Sequence, residues 1–374
     1  MLALHLSDLH LSRYGETGTW LPQEDGDGDD WELLHEIHRW RVEGHLTRRN
    51  KPDRLRLVDP EGVVHEVRRW PRDDDKAIHR LLNLAMERHD TSAERLIEAR
   101  PTSADLAAQL RLDPLNTNLL FLQMLDQILP VSPDLIFLTG DITDTGFGYN
   151  LVTHYLAPWI RAGRLFAVPG NHDTYDIIPR VGRKLRIAAK DQCYRDFAAE
   201  VGLAGEASGA YVRYVDDLAI VGLNSCKPPR TPLSASGEVS APQLAWLRAL
   251  GGTPEFRKAR LRIGLVHHHL LRMPFGLGQR NPIEIAMRLR NAPAVMEACW
   301  EAGVNILLNG HRHHGYMVGL PEQSLVISSP SSTLGCKFAR RDYVWLLNLG
   351  AEYPFPVLRR FHGYRAQMAD LGLG

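Results

Sequence analysis

PDLIFLTGDITD, residues 133–144, decides how the rest of the chain is read. Leu135–Leu138 is a short run of large apolar residues with no polar alternation, so it predicts a strand buried on both faces. The run stops at Gly140-Asp141, where a carboxylate meets the strand exit. The same construction recurs on either side. LALHL at 2–6 ends in Ser7-Asp8-Leu9-His10, and RLFAVPGNHD at 164–173 ends in Gly170-Asn171-His172-Asp173. LAIVGLNS (218–225), RIGLVHHH (262–269) and VNILLNGHRHH (304–314) repeat it, and SLVISSPSS and YVWLLNLG add late strands. NTNLLFLQMLDQIL, with Asn116 or Thr117 as cap, predicts a helix before the central strand, and another is read near 150–162. Strands alternating with helices give an α/β architecture, in which functional groups gather at the carboxyl ends of strands.

The totals fit an ordinary soluble globular protein. The chain has 374 residues, enough for one large domain or two smaller ones, and is 44% hydrophobic and 24% charged. Lys+Arg and Asp+Glu both number 44, which argues against a broad basic surface for tracking nucleic acid. No stretch approaches the roughly 18 apolar residues of a membrane span, and the first residues lack the basic start of a signal peptide. Cys193, Cys226, Cys299 and Cys336 form no C-x-x-C, so reduced thiols and a cytoplasmic location are expected.

Residues 15–112 carry no Gly-rich or metal motif and read as an inserted, mostly helical subdomain. WELLHEIHRWRVEGHL (31–46) has helical spacing, and residues 75–112 also read as helical. RLRLVDPEGVVHEVRRW alternates on both sides of Asp59–Gly62 and predicts a hairpin. Asp25, Asp27, Asp29 and Glu36 match calcium-loop positions, but Asp30 stands where the turn needs Gly, so an acidic linker is read there. Trp20, Trp31, Trp40 and Trp70 are read as packing the insert.

The strand ends therefore collect Asp8 and His10, Asp141 and Asp144, Asn171 and His172, His267–His269, and His311 and His313. Carboxylates, imidazoles and one amide oxygen in such number suit two hard or borderline cations held close together. Glycine before Asp141, Asn171 and His311 is expected to let the backbone turn tightly.

This ordered set, D-x-H, G-D-x-x-D, G-N-H-D, a His after a strand and G-H-x-H, resembles the calcineurin-like metallophosphoesterase family. The resemblance covers residues 1–14 and about 113–345. It implies an α/β/β/α four-layer sandwich with the mostly helical insertion at 15–112, and a metallophosphoesterase domain formed by 1–14 and 113–374. It implies two metal ions (Mn, Fe or Zn): one on Asp8, His10 and His313, the other on Asn171, His268 and His311, with Asp141 bridging. His267 is the alternative to His268, and the family's H-x-P is absent here. His172 would contact the phosphoryl or leaving oxygen, with Asp144 orienting it, and a hydroxide held between the metals would attack phosphorus. Purple acid phosphatases carry Tyr where Asp144 stands, and Ser/Thr protein phosphatases carry Arg-Gly where Thr145-Gly146 stands, which points away from both branches.

SGEVSAPQLAWLRAL (236–250), LNSC (223–226) and SSPSST (328–333) resemble stretches of bacterial class III cyclic-nucleotide phosphodiesterases. That implies hydrolysis of small phosphodiesters, 3′,5′-cyclic nucleotides among them. A DNA-processing nuclease of the same superfamily, a phosphomonoesterase and a partner-binding scaffold remain open alternatives. Relatives often dimerise, although no feature of this sequence demands it. The insert, placed directly after the first metal motif, is read as a lid or substrate wall.

Overall fold

The computed structural model describes residues 1–11, 31–37, 40–46, 52–58, 61–67, 96–97, 115–144, 146, 148–175, 190–205, 209–227, 235–271, 286–320, 324–336, 341–350 and 354–370. The chain divides into two compact units, one made of Met1–Leu11 with Leu120–Gly374 and the other of Ser12–Leu119.

The larger unit holds two sheets. In chain order its strands are β1 (Leu2–Leu6), then, after the four strands of the smaller unit, β6 (Leu135–Leu138), β7 (Leu165–Ala167), β8 (Tyr211–Val215), β9 (Leu218–Leu223), β10 (Leu261–Val266) and β11 (Ile306–Asn309). They are followed by β12 (Tyr316–Leu320), β13 (Ser324–Ser328), β14 (Tyr343–Asn348) and β15 (Phe355–Arg360). One sheet has the order β15-β14-β1-β6-β7 and the other β12-β13-β11-β10-β9-β8. β1, β6 and β7 run parallel, as do β9, β10, β11 and β13; antiparallel strands flank them at both edges of the six-stranded sheet and at the β14-β15 edge of the other.

Strand composition explains the layering. β6 and β9 are buried at every residue, as unbroken apolar runs require when both faces are covered. On β9, Ala219, Val221 and Leu223 alternate toward helices whose own apolar residues recur at helical spacing. These are Leu244, Leu247 and Leu250 on Ala241–Gly251, and Val295, Ala298, Cys299 and Ala302 on Ala292–Ala302. The result is the layered α/β sandwich expected from the sequence. The helix Thr117–Ile128 starts where expected, and Asn116 is its cap: its Oδ1 accepts from Leu119 N at 3.1 Å.

The described part of the smaller unit is a four-stranded antiparallel sheet, β2 (Trp31–Ile37), β3 (Trp40–Leu46), β4 (Pro52–Val58) and β5 (Val64–Val67). The hairpin expected around Asp59–Gly62 is there, with Val58 opposite Val64 and Gly62 at φ +84°. The helix expected over 31–46 is not. A bulge between Leu33 and His35 breaks the two-residue period that marks a strand, leaving a spacing that imitates a helix. Past the bulge, Trp40, Val42, Gly44 and Leu46 alternate, and Gly44 weakens a helix. The helical reading of 75–112, apart from Leu96-Ile97, the acidic Asp25–Asp30 stretch and the tryptophan side chains lie outside the described residues.

Candidate metal centre

Five parallel strands deliver the site. Asp8 and His10 follow β1, Asp141 and Asp144 follow β6, and Asn171 and His172 follow β7, all on the five-stranded sheet. His267 follows β10, and His311 and His313 follow β11, on the six-stranded sheet. The two sheets meet through these ends: His311 N donates to both carboxylate oxygens of Asp8, at 3.1 and 2.9 Å. Within the six-stranded sheet, Gly310 N donates to His267 O at 3.0 Å.

Three overlapping groups converge: Asp8, His10 and His313; His10, Asp141 and His172; and Asp141, His267 and His311. Within each, one potential ligand atom per residue lies within 4.8 Å of the others. On one side His10 Nε2 lies 2.9 Å from His313 Nε2, which is 3.4 Å from Asp8 Oδ1. On the other, His267 Nε2 lies 3.3 Å from Asp141 Oδ2, 3.1 Å from Asn171 Oδ1 and 3.0 Å from His311 Nδ1. Asp141 stands between them.

Of the triple His, it is therefore His267 that faces the cluster, and the expected ligand His268 does not. The ring of His268 is fully engaged elsewhere: Nε2 donates to Ala235 O at 3.0 Å and Nδ1 accepts from Ser225 Oγ at 2.8 Å. The strand ends at Val266, so His267 is the first side chain past its carboxyl end. Alternation turns His268 to the other face.

The glycines act differently from expectation. Only Gly140 uses a positive φ, +89°. Gly170 and Gly310 are needed for close approach: a Cβ on Gly170 would stand 2.0 Å from Asp141 N, and one on Gly310 1.8 Å from Ser7 Oγ.

The donor set fits metal ions. His267 Nδ1 faces Thr139 O at 2.8 Å and His311 Nε2 faces Met287 O at 2.9 Å. A carbonyl only accepts, so both rings carry their proton outward. In the neutral rings, His267 Nε2 and His311 Nδ1 then confront each other as lone pairs, which only a proton or a cation beside Asp141 makes favourable. His10 is held likewise, Nδ1 donating to Asp144 Oδ1 at 2.7 Å, which leaves Nε2 for the cluster. Ligating imidazoles are anchored through the far nitrogen in this way. Asn171 Nδ2 is buried without a hydrogen-bond partner among the described residues.

Electrostatics point the same way. Burial would push the Asp141 carboxyl up, but the His267 and His172 imidazoles outweigh it and hold it far below the usual range. Asp144 is likewise held well below it, against burial, by His10 and His172. Burial would depress His10, yet Asp144, Asp141 and Asp8 raise it to about 9; for His267, Asp141 overcomes burial and the result is again about 9. The centre holds more negative charge than its neutral imidazoles balance, and it attracts cations.

His172 sits at the open side. Its Nδ1 is 2.7 Å from the Asp144 oxygen that also takes His10, its Nε2 is 4.0 Å from Asp141 Oδ2, and its side chain is 27% exposed. Asp144 thus fixes the tautomer of two imidazoles, one of which sequence reading anticipated. His5 is buried away from the cluster with Nε2 on Thr139 Oγ1 at 2.9 Å, and burial lowers it to about 3.

Asp173 was visible only as the last letter of G-N-H-D. Its carboxylate is fully buried and accepts from Gly170 N (2.8 Å), Ile142 N (3.1 Å), Thr143 N (2.9 Å), Thr143 Oγ1 (3.3 Å) and Tyr149 OH (2.8 Å). It latches the loop of Asp141 to the loop of Asn171. Its place three residues after Gly170 in that motif was its only signal in the sequence.

Among curated proteins none matches the chain. Solved structures with a similar course include a dimetal phosphatase from Danio rerio, 13% identical with a TM-score of 0.40, covering 96% of this chain and 96% of that one. A purple acid phosphatase isolated from yellow lupin (Lupinus luteus) seeds is 12% identical with a TM-score of 0.41, covering 87% of this chain and 58% of that one. A metallophosphoesterase from Sphaerobacter thermophilus is 14% identical with a TM-score of 0.30, covering 68% of this chain and 90% of that one. The sequence model of the calcineurin-like phosphoesterases matches residues 119–315, more than half of the chain, and the chain belongs to that family.

Proposed function

We propose that this chain is a two-metal hydrolase of small phosphodiesters, 3′,5′-cyclic nucleotides among them, carried by residues 1–14 and 113–374. The observation that carries the reading is the convergence of Asp8, His10 and His313 on one side of Asp141, and of Asn171, His267 and His311 on the other. Asp141 is assigned to both sites, and His267 takes the place first given to His268. Metal ions bound there supply the charge that neutralises phosphoryl oxygens and the acidity that makes water a nucleophile at neutral pH.

The chain's own groups do the rest. Asp144 takes the Nδ1 proton of His172, so Nε2 faces the open side and can hold a proton for a phosphoryl or departing alkoxide oxygen. Asp144 likewise keeps His10 Nε2 bare. Ser7 Oγ, donating to Asp8 Oδ2 at 2.6 Å, and His311 N fix the Asp8 carboxylate, while His172 N fixes Asp141 Oδ1 at 2.8 Å. Such preorganised dipoles need no rearrangement as charge develops. The choice of diesters rests on the likeness of 223–226, 236–250 and 328–333 to cyclic-nucleotide phosphodiesterases.

The test compares bis(p-nitrophenyl) phosphate with p-nitrophenyl phosphate on chelated protein with Mn, Zn or Fe restored, for wild type and Asp141→Asn. Metal-dependent diester turnover lost in the variant supports the reading. Monoester preference replaces it with a phosphatase, and no turnover of either ester with two metals bound refutes it.

A further inference from the structure

We infer that Ser331 and Thr333 are positioning residues for the Asp8–His10 half of the centre, an inference that rests on the reading of Asp8, His10 and His313 as metal ligands. Past Leu6 the chain leaves its strand, and its pairing with β14 covers only Leu2–His5. On the β6 side the N–H groups remain satisfied: Asp8 N donates to Gly140 O, His10 N to Asp141 O and Leu11 N to Ile142 O, each at 2.9 Å. Asp8 and His10 both sit at φ 51°. On the opposite side the carbonyls of Asp8 and Leu9 emerge into the protein interior beyond the reach of β14.

Hydroxyls meet them there. Ser331 Oγ donates to Asp8 O at 2.7 Å, and Thr333 Oγ1 donates to Leu9 O at 2.8 Å and lies 3.4 Å from Asp8 O. Leu334 N donates to Ser331 Oγ at 2.8 Å, which leaves the hydroxyl proton for Asp8. Between them Ser332 pairs with Ser7 in both directions, N to O at 2.9 Å and Ser7 N to Ser332 Oγ at 3.1 Å. Ser331, Ser332 and Thr333 are buried, so water does not substitute for them.

The placement gives these bonds a function beyond local satisfaction. Ser331–Thr333 follow β13, which pairs with β11, the strand that delivers His313. Asp8 and His10 come from the other sheet. The hydroxyls therefore set the distance and twist between the two halves of one donor set, and they hold Asp8 and His10 in the left-handed conformation that points their side chains inward. Loss of the hydroxyls predicts a site whose donors are all present but out of register, a change felt as lost affinity.

The experiment is titration of chelated protein with Mn²⁺ alone, followed by calorimetry and by the Mn²⁺ electron paramagnetic resonance signal, with circular dichroism as the check on folding. Wild type is expected to bind two Mn²⁺. Ser331→Ala/Thr333→Val, which keeps shape and removes both hydroxyls, is expected to weaken one of the two sites about tenfold or more and leave the other in place. Restoring one hydroxyl, as Ser331→Ala/Thr333→Ser, is expected to recover part of the loss. If the double variant does not fold, Thr333→Val alone against Thr333→Ser gives the same reading. Two unchanged Mn²⁺ affinities in a folded hydroxyl-free variant overturn the positioning role while leaving the two-metal reading intact. Equal weakening of both sites without recovery by Ser also overturns it. Failure of the wild type to bind two Mn²⁺ overturns both.

Discussion

Asp173→Asn removes one oxygen from a carboxylate that accepts five bonds, and the structure dictates which way the new amide turns. Oδ2 takes two backbone donors, Gly170 N and Ile142 N, while Oδ1 takes one, Thr143 N, together with the hydroxyls of Tyr149 and Thr143. An amide nitrogen at Oδ2 would set two fixed N–H groups against donors. At Oδ1 it faces only one, because hydroxyls rotate to accept. The variant takes the second orientation and orphans Thr143 N, a cost of about 1–3 kcal/mol for a buried donor. The two backbone bonds it keeps lose their charge-assisted character, roughly 1 kcal/mol each. The sum is about 3–5 kcal/mol, and relief of the carboxylate's burial and of the repulsion from Asp141, which together hold its pKa above the ordinary value, favours the lower end. Tyr149→Phe, which removes a single donor, is expected to cost about 1 kcal/mol. Urea unfolding of the chelated variants, followed by tryptophan fluorescence and by circular dichroism, reads both values. An Asp173→Asn protein within 1 kcal/mol of wild type, or no less stable than Tyr149→Phe, would refute the latch.

Other outcomes follow from the same geometry. His267→Gln is expected to lose one metal equivalent, whereas His268→Gln is expected to keep two while loosening the Ala235 segment; metal analysis after desalting decides between them. Gly170→Ala would place a Cβ 2.0 Å from the backbone nitrogen of Asp141, which no side-chain motion relieves. Overpacking of that kind costs about 1–3 kcal/mol or more and should abolish turnover at saturating metal, as thermal melts and ester assays will show. In chelated protein, the ion pairs of His10 and His267 stabilise the fold fully below their ordinary value of 6.5 and less as pH rises through about 9. The same pairs hold Asp141 below its ordinary value of 3.8, so their contribution is present above that pH and falls away on further acidification. His5, His268 and His311 act the other way: burial holds each below 6.5, so they cost stability as pH falls below that value. The melting temperature of chelated protein should therefore fall on acidification below 6.5 and decline toward pH 9, and metal should flatten the alkaline decline by replacing protons on the imidazoles. A pH-independent melt would contradict it.

What the sequence disclosed depended on how far apart the interacting residues lie along the chain. The parallel strands were legible because each is a local apolar run, and the motifs because their residues are two or three positions apart. Which His of His267–His269 turns inward was not, since that depends on where β10 ends and on Ser225 and Ala235 engaging the next ring. The sheet at 31–46 was missed because one bulge disguised its period. The partners of Asp8 O and Leu9 O lie more than 300 residues away, and no spacing rule reaches that far.

The left-handed residues show why those distant partners matter. Seven non-glycine residues with positive φ occur among the described residues. Ser132 ends a short 3₁₀ turn and Asp216 lies in the turn between β8 and β9. The other five, Asp8, His10, Asp141, His311 and His313, all belong to the centre. D-x-H and H-x-H share one device, two left-handed residues separated by one. On an extended strand, residues i and i+2 stand roughly 6.6 Å apart with parallel side chains. A chain curled at both positions instead brings their nitrogens and oxygens together, within 4.8 Å for Asp8, His10 and His313. The curl costs about 1–3 kcal/mol per residue, and five such residues together rival the net stability of a typical domain, about 5–15 kcal/mol. No glycine relieves it at these positions, because a side chain is needed at each. The conformation is held from outside, by Asp173 around Asp141 and by Ser331, Ser332 and Thr333 around Asp8. The motif letters name the donors, and the buried carboxylate and hydroxyls are what bring them to one point.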